Sequence, residues 1–194
     1  MIEQTLIIIK PDAVKRGLVG MIFESFENIG LKLMVAKMVR PDKEVIKNHY
    51  PGTPEWISEM GNKTLSSFKQ SGADVKKTFG TEDPLKLGQF VYDRLIKYWM
   101  EGPIIVSVWS APHAIEIARK VRGHTIPYLA IPGTIFANYS YDSSPLSAGL
   151  NRAVKTFIHA SGSRDEAERE IKYWFDGKTE FKNYEREVDK LYLK

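Results

Sequence analysis

Lys155-Thr156-Phe157-Ile158-His159-Ala160-Ser161-Gly162-Ser163-Arg164-Asp165-Glu166 is the stretch on which the fold turns. A short apolar run stops at a histidine and small residues follow. Ser163 and Glu166 then have the S-x-x-E spacing of a capping box, with Ser163 as N-cap and Glu166 at N3. The stretch reads as a strand giving way to a helix, with His159 at the junction. A helix N-terminus offers free backbone N–H groups and the positive end of its dipole, both suited to phosphate. A histidine there is an acid/base, a nucleophile, or a side chain that only packs at a strand end. Position alone favours packing, so the rest of the chain has to decide.

Composition bounds the answer. A chain of 194 residues, 43% hydrophobic and 27% charged, suits one globular domain with room for an insertion. The absence of cysteine excludes disulfides, a thiol nucleophile and cysteine metal sites, and it fits a reducing compartment. Met1-Ile2-Glu3-Gln4 lacks the basic start of a signal peptide and no run reaches transmembrane length, so we expect a cytoplasmic protein with no membrane contact. The net charge of +4 comes from 28 basic and 24 acidic residues that are interspersed. That balance suits an anionic small ligand such as a nucleotide better than nucleic acid.

Thr5-Leu6-Ile7-Ile8-Ile9 is apolar and β-branched, the pattern of a strand buried on both faces, and Lys10-Pro11-Asp12 ends it. Lys10 is either a solvated strand end or a point charge aimed at phosphate. Leu18, Ile22, Phe26 and Ile29 recur at helical spacing, and Leu31 to Val39 alternates as a second strand. Asp42 can cap a short helix through Tyr50. Thr53-Pro54 and Asp83-Pro84 are N-cap and N1 signals for two further helices. A helical insertion over about 51–89 follows, too short to hold its own core. Pro103 to Trp109 reads as a third strand and Ala111-Pro112 as the opening of a helix closed by Gly123. From Thr125 to about Ala148 there is no period, only turn residues, and a loop that long is usually functional.

The fourth strand and its helix, to Phe175, complete β-α-β-α-(insertion)-α-β-α-β-α. This order predicts an α+β, ferredoxin-like fold: a four-stranded, antiparallel-containing sheet with helices on one face. Residues 1–175 form the domain and 176–194 a tail along a surface or a subunit contact. In such a sheet the ends of strands one and four converge, bringing Lys10 near His159.

These residues resemble a known family. Thr5-Leu6-Ile7-Ile8-Ile9-Lys10-Pro11-Asp12-Ala13-Val14 is similar to the opening T-x-x-x-I-K-P-D-[GA]-V of nucleoside diphosphate kinases. Ile158-His159-Ala160-Ser161 resembles the family's N-[IL]-[IV]-H-[GA]-S. Glu166 to Phe175 resembles the following A-E-x-E-I-x-x-[WF]-F, and Pro132-Gly133-Thr134-Ile135 its P-G-T-I loop. The resemblance implies a ping-pong phosphotransferase in which the histidine matched by His159 takes the γ-phosphate of a nucleoside triphosphate and passes it to a nucleoside diphosphate. It matches Glu170 to an orienting carboxylate and Ser161 to a serine beside the histidine. Lys10, Arg119 and Thr125 match phosphate ligands, and Tyr50 a tyrosine lining the site. Magnesium would arrive on the phosphates of ATP or another triphosphate, with no protein metal site. The family implies a homo-oligomer, a hexamer or a tetramer of dimers.

The sequence also departs from that pattern. The loop's arginine is replaced by Phe136 and its Gly-Asp by Ala137-Asn138. The sugar-contacting asparagine is Thr156, the aspartate after the His-x-Ser is Gly162, and the base-stacking phenylalanine aligns with Val91, one residue after Phe90. Losing an arginine–phosphate contact costs on the order of 1.5–3 kcal/mol, about tenfold to a hundredfold in rate. Arg122 and Arg152 are substitutes by charge only. Phe136 either packs or stacks on the base. Three readings follow: an active kinase; a nucleotide-binding module of weak activity, motivated by Phe136; and a nucleic-acid binder on a sheet, which the continuous apolar strands disfavour. His49, His113 and His124 show no metal spacing with a carboxylate and receive no role.

Overall fold

A computed structural model of the chain describes residues 2–192, leaving out the side chain of Tyr192. β1 (Ile2–Ile9), β2 (Lys32–Val39), β3 (Ile104–Pro112) and β4 (Ile158–Ala160) form one sheet in the order β2-β3-β1-β4, with each neighbouring pair antiparallel. This is the expected ferredoxin-like arrangement. The pairing of Ile8 with His159 places the histidine opposite the end of β1. The backbone N–H of Lys10 donates to Phe157 O at 2.9 Å just beyond that ladder.

The sheet is covered on both faces, not one. Leu6 and Ile8 of β1 join a cluster with Ile46, Trp99, Ile171 and Trp174, whereas Ile7 and Ile9 join Ile22, Phe26, Ala118 and Phe157. A period-two strand whose every residue is apolar needs a partner layer on each side. The layers come from α2 (Val19–Asn28) and α7 (Ala114–Arg122) on one face, and from α3 (Lys43–His49), α6 (Pro84–Trp99) and α10 (Arg164–Trp174) on the other. The short α1 (Pro11–Lys15) follows Lys10 directly.

The cap signals hold. Asp42 accepts from Val45 N, Thr53 from Trp56 N, Asp83 from Lys86 N and Ser163 from Glu166 N. Two boundaries differ from expectation. Ala111-Pro112 does not open a helix: β3 runs through Pro112, which pairs with Ile2 at the sheet's end, and α7 begins after His113 in a left-handed conformation (φ 57°). The stretch from Thr125 is not structureless. It holds a 3-10 turn at Pro127–Leu129, α8 (Ile135–Tyr139) and α9 (Ser144–Gly149), helices too short for a periodicity to show.

The region after Tyr50 contains α4 (Pro54–Ser71), α5 (Val75–Phe79) and α6. Its small core of Phe68, Val75 and Leu87 is supplemented by packing on the main core through Ile57 and Ile96. The tail lies back on its own sheet. Buried Lys32 pairs with Asp189 at 3.0 Å, and Arg186 donates to the carbonyls of Gly30 and Leu31 at 2.9 Å, ahead of α11 (Asp189–Tyr192).

Candidate active site

The site forms where the ends of β1 and β4 meet the start of α10. His159 Nε2 lies 2.9 Å from Glu170 Oε2, and Ser161 donates its hydroxyl to the same oxygen at 2.7 Å. Ser161 is in turn fixed to β1: its Oγ accepts from Leu6 N at 3.3 Å and its N–H donates to Leu6 O at 3.2 Å. An ionised Glu170 has only lone pairs to offer, so Nε2 carries the ring's proton and donates it in a hydrogen bond, leaving Nδ1 of His159 with the free lone pair. Burial, followed by the charge of Lys10, lowers the imidazole pKa to about 3, so the ring is neutral at ordinary pH. Burial also raises the proton affinity of Glu170, against the opposing pull of His49 and Ser161.

Lys10 is buried, donates to Thr156 Oγ1 at 2.7 Å, and lies 5.3 Å from the Trp99 ring centroid. Burial lowers its pKa to about 7, more than Asp12 can offset. Of the two readings open for Lys10, the structure has the sheltered cation beside the imidazole and not the solvated strand end. Thr156 occupies itself with that lysine. Arg119, exposed on α7, donates to Gly162 O at 2.9 Å, and Gly162 N donates to Glu166 Oε2 at 2.7 Å. A Cβ at Gly162 would come within 2.9 Å of Arg119 Nη1 and 2.7 Å of Glu166 Oε2, so glycine there lets both side chains close on the backbone. Thr125 is exposed after α7 and accepts from Arg122 Nη2 at 3.4 Å. Tyr50 packs on His49, Trp56 and Trp99, with ring centroids at 4.7, 5.3 and 5.7 Å, and burial raises its proton affinity well above the ordinary phenol.

The sequence reading missed His49. It is fully buried, its ring edge-on to His159 with centroids 4.7 Å apart; Nδ1 accepts from Trp174 Nε1 at 3.2 Å and lies 3.7 Å from Glu170 Oε1. The available signal was its spacing from Ile46, which puts both on the inward stripe of α3. His49, His159 and Glu170 bring ligand atoms within 4.8 Å of one another. Two nitrogens and one carboxylate do not fit magnesium, which prefers oxygen in octahedral order.

A largely buried, neutral imidazole with one nitrogen held and the other free, beside Lys10 and with Arg119 on the following Gly162 carbonyl, fits phosphoryl transfer. The family model for nucleoside diphosphate kinase matches residues 3–56 and 73–180. The chain belongs to the nucleoside diphosphate kinase family. It is 46% identical over 174 residues to a nucleoside diphosphate kinase of Pyrobaculum aerophilum, covering 90% of this chain and 95% of the relative. A crystal structure of an NDP kinase from that organism superposes with a TM-score of 0.84 at 44% identity, covering 90% and 96% of the two chains. A transition-state mimic of the Borrelia burgdorferi nucleoside diphosphate kinase, with bound vanadate and ADP, superposes with a TM-score of 0.75 at 33% identity, covering 97% and 95%.

The departures from the family pattern now have places. Phe136 does not stack on a base: it is 1% exposed, packed on Phe157 at 4.9 Å, because α8 turns it into the core. Arg152 is no substitute for the lost arginine, since it is spent on Asp142. Val91 is half-buried on α6, while Phe90 is exposed and stacks on Phe79 at 6.0 Å.

Proposed function

We propose that the chain transfers the γ-phosphate of a nucleoside triphosphate to a nucleoside diphosphate through phosphohistidine at Nδ1 of His159. The observation that carries this is the His159–Glu170 pair, which holds Nε2 and frees Nδ1. In the first half-reaction the Nδ1 lone pair bonds to the γ-phosphorus as the bridging P–O bond breaks, and the diphosphate leaves with that electron pair. A second diphosphate's terminal oxygen reverses the step. Glu170 and Ser161 orient the ring and stabilise the charge it gains. Lys10, Arg119 and Thr125 face the phosphate oxygens, where charge neutralisation supplies most of the catalysis. Tyr50, Thr156 and Val91 contact the nucleotide beyond its phosphates. Magnesium enters as part of the triphosphate substrate.

The finer expectations belong to the same reading. The family match breaks between residues 56 and 73, which supports a helical insertion centred on α4 within the expected 51–89. Tyr128, Ile131, Tyr141 and Leu150 are exposed apolar side chains on one segment, which favours a homo-oligomer. Among the described residues no helix is long and apolar enough to cross a membrane. A cytoplasmic setting suits nucleotide substrates and a chain without cysteine.

The test is incubation with γ-labelled ATP followed by chase with a different diphosphate. An acid-labile label on the wild-type protein, released to the diphosphate and absent in His159→Ala, is the expected result. A wild-type protein that takes no label, or a variant that keeps it, refutes the reading.

A further inference from the structure

Arg122 ends α7, one turn beyond Arg119 on the same side of the helix, but it is buried where Arg119 is exposed. It is only 8% exposed. Its guanidinium lies over the Phe136 ring, 5.5 Å from the centroid. Nε donates to Gly123 O at 3.3 Å and Nη2 to Thr125 Oγ1 at 3.4 Å, both long contacts that leave most of its five donors unused. It forms no ion pair among the described residues.

Two other sheltered cations, Lys32 and Arg152, are matched by Asp189 and Asp142. A buried guanidinium without a carboxylate is costly to hold. The carboxylate whose field reaches Arg122 is that of Glu166, already bonded to the Gly162 N–H. Its other strong neighbours are cations. Arg119 weakens its hold on its own proton, and Arg122 in turn weakens those of Lys10 and His159. Lys10 and Arg122 therefore both bear on the nucleophile, and neither has an ion-pair partner among the described residues, an arrangement an anion would stabilise.

We propose that Arg122 grips the phosphoryl group transferred to and from His159, supplying from α7 the guanidinium that the loop lacks at Phe136. The inference rests on the phosphohistidine reading. Phe136 then does more than fill the core, because its buried ring is the platform that holds the guanidinium flat, as a cation over an aromatic face. The loss at 136 and the arginine at 122 are two halves of one exchange, which explains how a phosphate-binding arginine can be absent from the loop without emptying the site of charge.

The experiment is single-turnover phosphorylation of His159 by ATP in the full-length protein, with melting temperature measured alongside. Arg122→Leu should slow label transfer roughly 10- to 100-fold, the effect of removing one arginine–phosphate contact. Arg122→Lys, which keeps the charge and loses the fork, should fall between it and the wild type. Arg122→Leu combined with Phe136→Arg returns the guanidinium to the loop and should regain much of the lost rate. Arg122→Lys keeps the test valid should Arg122→Leu fold poorly. Both single variants labelling within about twofold of the wild type would overturn the role of Arg122 alone. A wild-type protein that never labels His159 overturns the kinase reading instead.

Discussion

His159 Nε2 and Glu170 Oε2 lie 2.9 Å apart, and the same carboxylate oxygen receives the Ser161 hydroxyl at 2.7 Å. One oxygen thus ties the nucleophile on β4 to α10 and, through Ser161, to Leu6 on β1. Glu170→Gln keeps the shape but weakens the acceptor and removes the charge that stabilises a positive imidazole. We expect the rate of phosphohistidine formation to fall about tenfold to a hundredfold, in the range of a hydrogen bond to a charged group. Rapid-quench labelling measures it. A rate unchanged from the wild type would show that ring orientation is set elsewhere.

The buried ammonium of Lys10 gives the reaction a basic limb. Its pKa of about 7, lowered by burial, means that the free protein loses this charge as pH rises through neutrality. The protonated form is the one that attracts phosphate, so kcat/KM for the triphosphate should fall above about pH 7. The value of kcat should fall later, because bound phosphate holds the proton on. His159 titrates near 3 and adds no acid limb above about pH 4. Lys10→Arg should move the basic limb upward by more than a unit; a limb that stays in place assigns it to another group.

Acid stability follows from two sheltered imidazoles, His49 fully buried and His159 largely so. His159 and His49 both have folded pKa values below the ordinary 6.5, through burial first. The unfolded chain therefore binds more protons between pH 6.5 and about 3, and stability is full above 6.5 and declines as pH falls through that window. Glu170, whose proton affinity burial raises, acts in the opposite sense and trims the slope. Urea midpoints between pH 4 and 7 should drop steadily in the wild type and less in His159→Asn. Parallel slopes would remove His159 from the account.

The residues that are readable from sequence are those whose role is local. Ser163 and Glu166 announce a helix start by spacing, the run from Thr5 to Ile9 announces a two-faced strand, and the structure has both where the spacing puts them. His159 and Lys10 can be paired because antiparallel β1 and β4 follow from element order. The part played by His49 is not readable, and Arg122 is readable only as a charge, because what makes them significant is a partner over a hundred residues away or missing altogether. His49 meets His159 and Trp174 only once α3 docks. The burial of Arg122, one turn from exposed Arg119, depends on the Phe136 ring from a different segment. Phe136 itself is open to two readings until α8 turns it into the core.

That burial sets the cost of truncating Phe136. Removing a fully buried phenylalanine ring usually costs about 3–5 kcal/mol. For a chain of this length each kcal/mol is worth roughly 2–4 °C. Phe136→Ala should therefore melt roughly 6–20 °C below the wild type, while the preference among purine and pyrimidine diphosphates stays the same. A stable variant with altered base preference would put Phe136 in the nucleotide pocket after all.

Helix propensity and packing give opposite predictions at Gly61 and Gly88, and magnitude decides. Both lie inside helices, where alanine is worth about 1 kcal/mol more than glycine. Yet α4 and α6 touch backbone to backbone at these positions. A Cβ on Gly61 would sit 1.8 Å from Pro84 O, and one on Gly88 1.8 Å from Ile57 O. Neither neighbour is a side-chain tip that can swing away, so the helices must separate. Overpacking of this kind costs typically about 1–3 kcal/mol, occasionally more, which exceeds the propensity gain. Gly88→Ala should lower stability, and it should also slow phosphotransfer, since α6 carries Trp99, whose ring centroid is 5.1 Å from that of His49 and 6.3 Å from that of His159. Gly20 on α2 has nothing within 4 Å of its Cβ direction, so Gly20→Ala should gain up to about 1 kcal/mol with activity unchanged. Thermal melts of the two variants side by side measure the difference, and a stabilised Gly88→Ala would mean that α4 and α6 do not cross this closely.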